Sequence, residues 1–98
     1  MIRIPTKRTP THPGEMLLEE FINPMGLTQR ELANAILVPY QRINDIVNGR
    51  SEITPSTALR LTKFFNTSPE FWMNVLLRWE LYFATKEEKN ILNNNLPR

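Results

Sequence analysis

Apolar residues recur every three or four positions between residues 13 and 84, which is the spacing of one face of an α-helix. No segment in this stretch shows the strict alternation of a half-buried strand. Capping residues divide the stretch into five segments, which begin at Pro13, Thr28, Pro39, Thr54 and Ser68. The pattern therefore predicts an all-α class, with one compact five-helix domain over residues 13–84.

The ends of the predicted helices carry residues that satisfy free backbone groups. Thr28 and Glu31 form a T-x-x-E capping box, in which each side chain accepts a hydrogen bond from the other residue's amide. Pro55 and Pro69 each follow a hydroxyl residue and suit the first helical position. Gly49 follows the third helix, where glycine favours the left-handed conformation that ends helices. These signals predict helices over residues 13–23, 28–36 and 39–48, followed by two longer ones.

The two ends of the chain show weaker patterns. Residues 1–12 are basic and contain two prolines, so they are predicted to be an extended N-terminal segment. Thr85 and Glu88 form a second T-x-x-E pattern. This pattern predicts a short sixth helix or a tail over residues 85–98.

Each of the first three helices has one apolar face, which is typical of helices that surround a small core. The residues predicted to point inward are Met16, Leu17, Phe21 and Ile22 in the first helix, Leu32, Ala33 and Ile36 in the second, and Ile43, Ile46 and Val47 in the third.

The junction between the second and third helices is short. If one helix ends near Ile36 and the next begins at Pro39, only Leu37 and Val38 remain for the turn. Neither is glycine, the residue that takes the left-handed conformation most readily. A helix, a tight turn and a second helix with exposed polar groups form the helix-turn-helix arrangement.

The polar face of the third helix has side chains suited to DNA bases. Amide and guanidinium groups match the donors and acceptors of base edges in the major groove. The negative charge of Asp45 repels phosphate, and an i,i+3 pair with Arg42 would neutralise it. The alternative is that this face is only solvated, as on most short helices. The residues predicted to read bases are Tyr40, Gln41, Arg42, Asn44 and Asp45.

A second group of residues is predicted to hold the DNA backbone. Free N–H groups at the start of the second helix favour a phosphate, and polar side chains flank the third helix. The net charge of +2 arises entirely within residues 28–63, which indicates an anionic partner for this part of the chain. The predicted phosphate-contacting residues are Thr28, Gln29, Arg30, Asn48 and Arg50.

The fifth helix is apolar over more than half of its circumference, whereas a surface helix needs only one apolar face. The stripe expected to pack on the domain consists of Trp72, Val75, Leu76, Trp79, Tyr82 and Phe83. In a second stripe, Met73, Leu77 and Leu81 are predicted to form a homodimer interface. The alternative is that the tail around Ile91 and Leu92 covers this second stripe.

Composition narrows the classes of function. The chain has 98 residues, no cysteine and one histidine, His12, which precedes Pro13 and therefore suits a helix start better than a general base or a metal ligand. There is no phosphate-binding glycine loop, metal-ligand spacing or base beside a serine, so we expect neither an enzyme nor a metal or cofactor site. No apolar run approaches the roughly 18 residues needed to span a membrane. The absence of cysteine fits a reducing cytoplasm.

The runs HPGEMLLEEFINPMGLTQRELANAI, VPYQRINDIVNGRSEIT and TALRLTKFFNTSPEFWMNV together cover roughly residues 12–84. In these runs the chain resembles the HigA (VapI-like) antitoxins, which belong to the Cro/C1-type helix-turn-helix regulators. The resemblance implies a lambda-repressor-like fold and a homodimer that binds double-stranded operator DNA in its own promoter. It also implies a cognate toxin, a small ribosome-dependent mRNA endonuclease that the antitoxin holds inactive. Such a protein is cytoplasmic, and associated with the bacterial nucleoid when bound to DNA.

The resemblance puts the base contacts on residues of the third helix and the phosphate contacts at the start of the second, as the residue pattern does. Leu37 departs from the family, in which glycine is common between the two helices. A left-handed leucine costs on the order of 1 kcal/mol, so the turn is expected to be either strained or differently shaped. Two other functions stay open at this point: a stand-alone regulator without a toxin, and a protein-interaction module that has lost DNA binding.

Overall fold

The computed structural model describes residues 9–94, which form five α-helices and contain no β-strand. The all-α class is therefore confirmed. Residues 1–8, which make up most of the predicted N-terminal segment, and residues 95–98 lie outside the described residues. The helices are α1 (Pro13–Leu17), α2 (Gln29–Ile36), α3 (Tyr40–Val47), α4 (Pro55–Phe65) and α5 (Pro69–Asn94).

Side-chain caps begin three of the helices where the sequence predicts them. Thr28 Oγ1 accepts from the amide of Glu31 at 3.0 Å, and Glu31 Oε1 accepts from the amide of Thr28 at 2.8 Å, so the capping box before α2 is confirmed. Thr54 and Ser68 each accept from the amide three residues later, at the starts of α4 and α5. Side-chain capping by nearby residues therefore determines where these three helices begin.

His12 begins α1, because its Nδ1 accepts a hydrogen bond from the amide of Gly14 at 2.9 Å. The predicted role of this histidine at a helix start is therefore confirmed. After α1 the chain continues into a π-helical turn over Leu18–Ile22, so the prediction of one regular α-helix over 13–23 is wrong in its second half. The wider turn brings Ile22 onto the face of Leu17, five positions earlier, and both side chains are buried.

The core is centred on Trp72 of α5, which is fully buried. Its indole Nε1 donates to the hydroxyl of Thr67 at 2.7 Å, so its polar edge is satisfied. The inward positions predicted for the first three helices are confirmed, with Met16, Phe21 and Val47 at the edge of the core. The buried cluster consists of Leu17, Ile22, Leu32, Ala33, Ile36, Val38, Ile43, Ile46, Ile53, Ala58, Leu61 and Trp72.

The last helix, α5, is longer than predicted. It continues through Thr85 to Asn94, so no separate sixth helix starts at Thr85. The reason is that the sequence ATKEEK contains no helix breaker, and a capping box does not end a helix that its neighbours favour. The alternative in which the tail folds back over Leu77 is wrong, because Ile91 lies on the same continuous helix and is itself 55% exposed. Within residues 9–94 no helix combines the length and apolar character needed to cross a bilayer.

Candidate nucleic-acid interface

The turn between α2 and α3 contains a left-handed leucine. Leu37 has φ 59° and ψ 48°, so of the two alternatives for this turn the strained one is observed. Val38 is buried and Pro39 is extended, so α3 begins at Tyr40, one residue later than predicted. Leu37 itself is 81% exposed, and its side chain gains little from burial.

Two sets of hydrogen bonds hold this turn. The amide of Val38 donates to Ala33 O at 3.0 Å and that of Leu37 to Asn34 O at 3.4 Å, the pair of bonds that defines a Schellman motif. In addition, Arg60 of α4 donates to the carbonyls of the turn, to Ile36 O at 2.7 Å and to Leu37 O at 3.2 Å. The contribution of Arg60 is not visible in the sequence, because the two segments lie more than 20 positions apart.

The inner face of α3 is packed against the core. Ile43 and Ile46 are fully buried, and Val47 packs against the same core. Gly14 of α1 lies so close to the carbonyl of Ile46 that a Cβ atom at this position would collide with it. Sequence reasoning missed Gly14, although glycine is the residue that permits a second backbone to approach closely.

The exposed face of α3 carries a hydrogen-bonded chain of side chains. Gln41 Nε2 donates to Asp45 Oδ1 at 2.8 Å, and Arg50 Nε contacts the same oxygen at 3.3 Å. The suggested pair of Asp45 with Arg42 is therefore replaced by a pair with Arg50, because the chain turns back after Gly49 and brings the guanidinium over the helix. Arg50 is thus joined to the face predicted to read bases.

Asn44 lies at the centre of the same face and is half-buried. Its Nδ2 donates to Gln29 Oε1 at 3.1 Å and to the hydroxyl of Tyr40 at 3.3 Å. Its Oδ1 accepts from Arg50 Nη2 at 3.0 Å. Asn44 therefore connects the start of α2, the start of α3 and the loop after α3.

The remaining predicted contact residues surround this chain. The guanidinium of Arg30 lies 4.5 Å from the centroid of the Tyr40 ring, a cation–π distance. Asn48 donates through Nδ2 to Asn44 O at 2.9 Å and sits at the end of α3. Arg42 is exposed and, among the residues that the structure describes, its side chain has no hydrogen-bond or ion-pair partner. These contacts therefore bring together eight of the ten predicted residues, while Thr28 is bonded to Glu31 and the side chain of Arg42 lies outside the network; the eight are Gln29, Arg30, Tyr40, Gln41, Asn44, Asp45, Asn48 and Arg50.

The second apolar stripe of α5 lies on a different surface. Leu77 and Leu81 are 51% and 55% exposed, whereas Met73 is half-buried and packs against the core. The first stripe packs on the domain through Trp72 and Leu76, as predicted, but Phe83, at the far end of the same stripe, is 37% exposed, so the prediction is wrong there. The face of α5 that carries Leu77 and Leu81 is therefore an exposed apolar surface.

A pair of carboxyl groups lies between the loop after α3 and α5. A hydrogen bond with Glu52 raises the pKa of Glu80 above its ordinary value, and partial loss of solvent and the charge of Glu52 act in the same direction. Both side chains are exposed.

Similarity to known proteins agrees with this geometry. Residues 18–72 match the model of the family described as helix-turn-helix. The chain is 41% identical over 80 residues to virulence-associated protein I of Dichelobacter nodosus, covering 82% of this chain and 74% of that protein. An addiction-module antidote protein of the HigA family from Coxiella burnetii has a TM-score of 0.84 and 39% identity, covering 93% of this chain and all of that one.

A further solved structure is that of the antitoxin HigA from Pseudomonas aeruginosa with the higBA promoter. It has a TM-score of 0.84 and 36% identity, covering 90% of this chain and 97% of that chain. The family match extends over more than half of the sequence, and it includes α2, the turn and α3. The chain therefore belongs to the helix-turn-helix family and, within it, to the HigA (VapI-like) antitoxins.

Proposed function

We propose that this protein is an antitoxin that represses its own operon by binding operator DNA as a homodimer and that neutralises a partner mRNA-endonuclease toxin. The observation that carries the DNA-binding part is the connected polar face of α3, which is exposed on a helix anchored by Ile43 and Ile46. The relative solved with promoter DNA supports the same reading. The proposed site of action is the bacterial cytoplasm, on the nucleoid when DNA is bound.

In this proposal α3 enters the major groove, where its first turns meet the base edges. Tyr40, Gln41 and Arg42 lie in the first turn of α3 and make the direct contacts, while Asn44 and Asp45 orient Tyr40 and Gln41 through hydrogen bonds and complete the reading face. The phosphate contacts come from the amides and side chains at the start of α2 and from the residues after α3. They are assigned to Thr28, Gln29, Arg30, Asn48 and Arg50.

The proposed homodimer uses the stripe of Met73, Leu77 and Leu81. Leu77 and Leu81 are half-exposed and lie one helical turn apart. Pairing with an identical surface is favourable, because in an isologous contact both leucines of each of the two subunits are buried. Such a dimer would place the two copies of α3, the reading helix of each subunit, about 34 Å apart on a palindromic operator, which is one turn of DNA.

The proposed toxin partner rests on family membership. The function can be tested in two arms. The first is a binding titration with DNA from upstream of the chain's own coding region, against a scrambled duplex of the same composition. Our proposal requires a sequence-specific complex that weakens steeply as salt rises.

The second arm is co-expression with the adjacent open reading frame, followed by purification and an assay of mRNA cleavage. The antitoxin function requires a stable complex that suppresses the cleavage. Specific DNA binding without such a complex would establish a stand-alone regulator instead. A toxin complex without specific DNA binding would establish a protein-interaction module.

A further inference from the structure

We infer that Arg60 is a positioning residue for the reading helix: it selects the left-handed conformation of Leu37 and thereby sets the angle at which α3 leaves α2. The part of this inference that concerns DNA rests on the proposed function. The part that concerns the turn does not, because it is a property of the free protein.

The geometry of the contact is specific to the turn. A single nitrogen, Nη1 of Arg60, lies 2.7 Å from Ile36 O and 3.2 Å from Leu37 O. Two consecutive carbonyls thus converge on one donor, and the direction of the second carbonyl depends on the backbone dihedrals of Leu37. A rotation of Leu37 out of φ 59° and ψ 48° would separate the two oxygens.

The turn needs such a contact because Leu37 is unfavourable there on its own. A left-handed backbone brings Cβ of an L-residue close to the following carbonyl, and glycine escapes this penalty. Burial does not offset the penalty, since the Leu37 side chain is 81% exposed. The other left-handed non-glycine residue among residues 9–94 is Asn66, which tolerates this conformation better.

Charge favours the same arrangement. The carbonyl end of a helix carries a partial negative charge, and a guanidinium there is stabilising. Arg60 is one of the basic residues of the segment 28–63 that the sequence links to an anionic partner, yet its Nη1 is directed at the protein's own backbone. Its position on α4 lets it join a third helix to the helix-turn-helix pair.

The conformation of the turn is transmitted directly to α3. Only Leu37, Val38 and Pro39 separate the two helices, and Pro39 provides no side-chain cap. The hydrogen bond from Asn44 Nδ2 to Gln29 Oε1, 3.1 Å long, spans the two helices and reports their relative placement. A change at Leu37 must therefore appear at Asn44, in the middle of the reading face.

The test uses the full chain without DNA and the variants Arg60→Met, Arg60→Lys, Leu37→Gly and the double variant Arg60→Met with Leu37→Gly. Lys63→Met removes an exposed positive charge from the same helix and serves as the control. NMR measures the amide-to-α-proton NOE within Leu37, which is strong only at positive φ, and the shifts of the Asn44 side-chain amide. Urea denaturation measures the equilibrium constant for folding.

We expect Arg60→Met to weaken the Leu37 NOE, to shift the Asn44 amide and to lower the equilibrium constant for folding about tenfold, the size of effect of a charged hydrogen bond. In the Leu37→Gly background the same change should lower it at least as much, because the turn stays left-handed and the whole hydrogen bond is lost, but it should leave the Asn44 shift unchanged, since glycine keeps the turn without the guanidinium. Arg60→Lys, which retains a charged donor, should lie between the wild type and Arg60→Met, and it is the variant to use if Arg60→Met does not fold. Lys63→Met should leave the Leu37 NOE and the Asn44 shift unchanged and, because Lys63 lies in the last turn of α4, should lower the equilibrium constant for folding by no more than a few fold.

An unchanged Leu37 NOE and Asn44 shift in folded Arg60→Met would overturn the inference and leave Arg60 with a packing role only. DNA binding then provides an independent reading. If the NMR result holds and Arg60→Met also reduces the ratio of specific to scrambled binding, the residue positions the reading helix on DNA. If no variant, nor the wild type, binds specifically, the proposed function fails while the role of Arg60 in the turn stands.

Discussion

Gly14 of α1 lies against the backbone carbonyl of Ile46 in α3, with no room for a methyl group between them. The start of the first helix is therefore in direct contact with the end of the reading helix. Gly14→Ala should lower the free energy of unfolding by about 2 kcal/mol, because neither backbone can move without disturbing the core. Chemical denaturation followed by circular dichroism measures this loss.

Gly26→Ala provides the matched control. Gly26 has φ 68° but nothing within 4 Å of the position of a Cβ atom, so alanine there meets only the backbone penalty of about 1 kcal/mol. Equal losses for the two variants would show that the contact at Ile46 relaxes easily and does not hold α3.

Leu37→Gly should raise the free energy of unfolding by about 1 kcal/mol, because it removes the left-handed penalty and sacrifices little buried area. Asn66→Gly, at the equivalent place after α4, should give a smaller gain because asparagine already tolerates this backbone. The midpoint of urea unfolding separates the two. A loss of stability in Leu37→Gly would mean that the leucine side chain makes a contribution that its exposure does not reveal.

The reading face makes a prediction about DNA discrimination. Gln41→Ala should lose about 1–3 kcal/mol of preference at particular base pairs of the operator, with little change on scrambled DNA. Arg50→Ala should weaken binding to all sequences and should also relax discrimination, since Arg50 holds Asp45, the acceptor of Gln41. Titrations against operators with single base-pair changes, at two salt concentrations, measure both effects.

Lys89→Ala, near the distal end of α5, removes the same charge as Arg50→Ala at a distance from the reading face. It should lower affinity slightly and leave discrimination unchanged. If Gln41→Ala weakens specific and scrambled complexes by the same factor, Gln41 does not read bases.

The apolar stripe of α5 makes a prediction about association. Leu77→Lys should weaken the proposed homodimer about a hundredfold, because a half-exposed leucine buried twice at a symmetric interface contributes twice to association. Leu59→Lys, a change at an equally exposed leucine of α4, should leave the dimer intact. Light scattering at tens of micromolar protein distinguishes the states. A wild-type protein that is strictly monomeric there removes the dimer from the proposal.

The carboxyl pair makes a prediction about pH. Because Glu52 raises the pKa of Glu80, the folded state favours the protonated form more than the unfolded state does. This contribution to stability is present below the ordinary pKa of glutamate and is lost as pH rises through the raised pKa of the folded protein. Glu80→Gln should therefore raise the Tm at neutral pH, and the gain should disappear in acid and shrink in high salt.

Glu20→Gln, at an exposed glutamate of the π-helical turn, should change the Tm much less at any pH. A Glu80→Gln variant whose Tm gain persists unchanged in acid would rule out charge repulsion as its cause.

The helix starts at Thr28, Thr54 and Ser68 could be predicted from the sequence because each depends on residues three positions apart. The residues on one face of α3 could be predicted for the same reason, since the period of a helix places them. Contacts between distant segments could not. The close approach of Gly14 to Ile46 appears in the sequence only as a glycine without a local reason. The hydrogen bonds of Arg60 to the turn appear only as an ordinary arginine.

Local signals also misled in one place. The T-x-x-E pattern at Thr85 has the composition of a helix start, but the same residues are equally good in a helix interior. The pattern marks a helix start only if the residues before it are not helical, and residues 80–84 contain no residue that ends a helix. The length of α5 is therefore set by the absence of a stop signal.

The hydrogen bonds among Gln41, Asp45, Arg50 and Asn44 affect the step at which the proposed base contacts form. The rotamers of these four side chains are already fixed when the protein folds, so little side-chain entropy remains to be lost on binding DNA. Each base contact must instead replace a bond that already exists within the protein. On a wrong sequence the exchange is unfavourable and the internal bonds persist, so the protein could slide along DNA with its reading groups withheld and release them only at the operator.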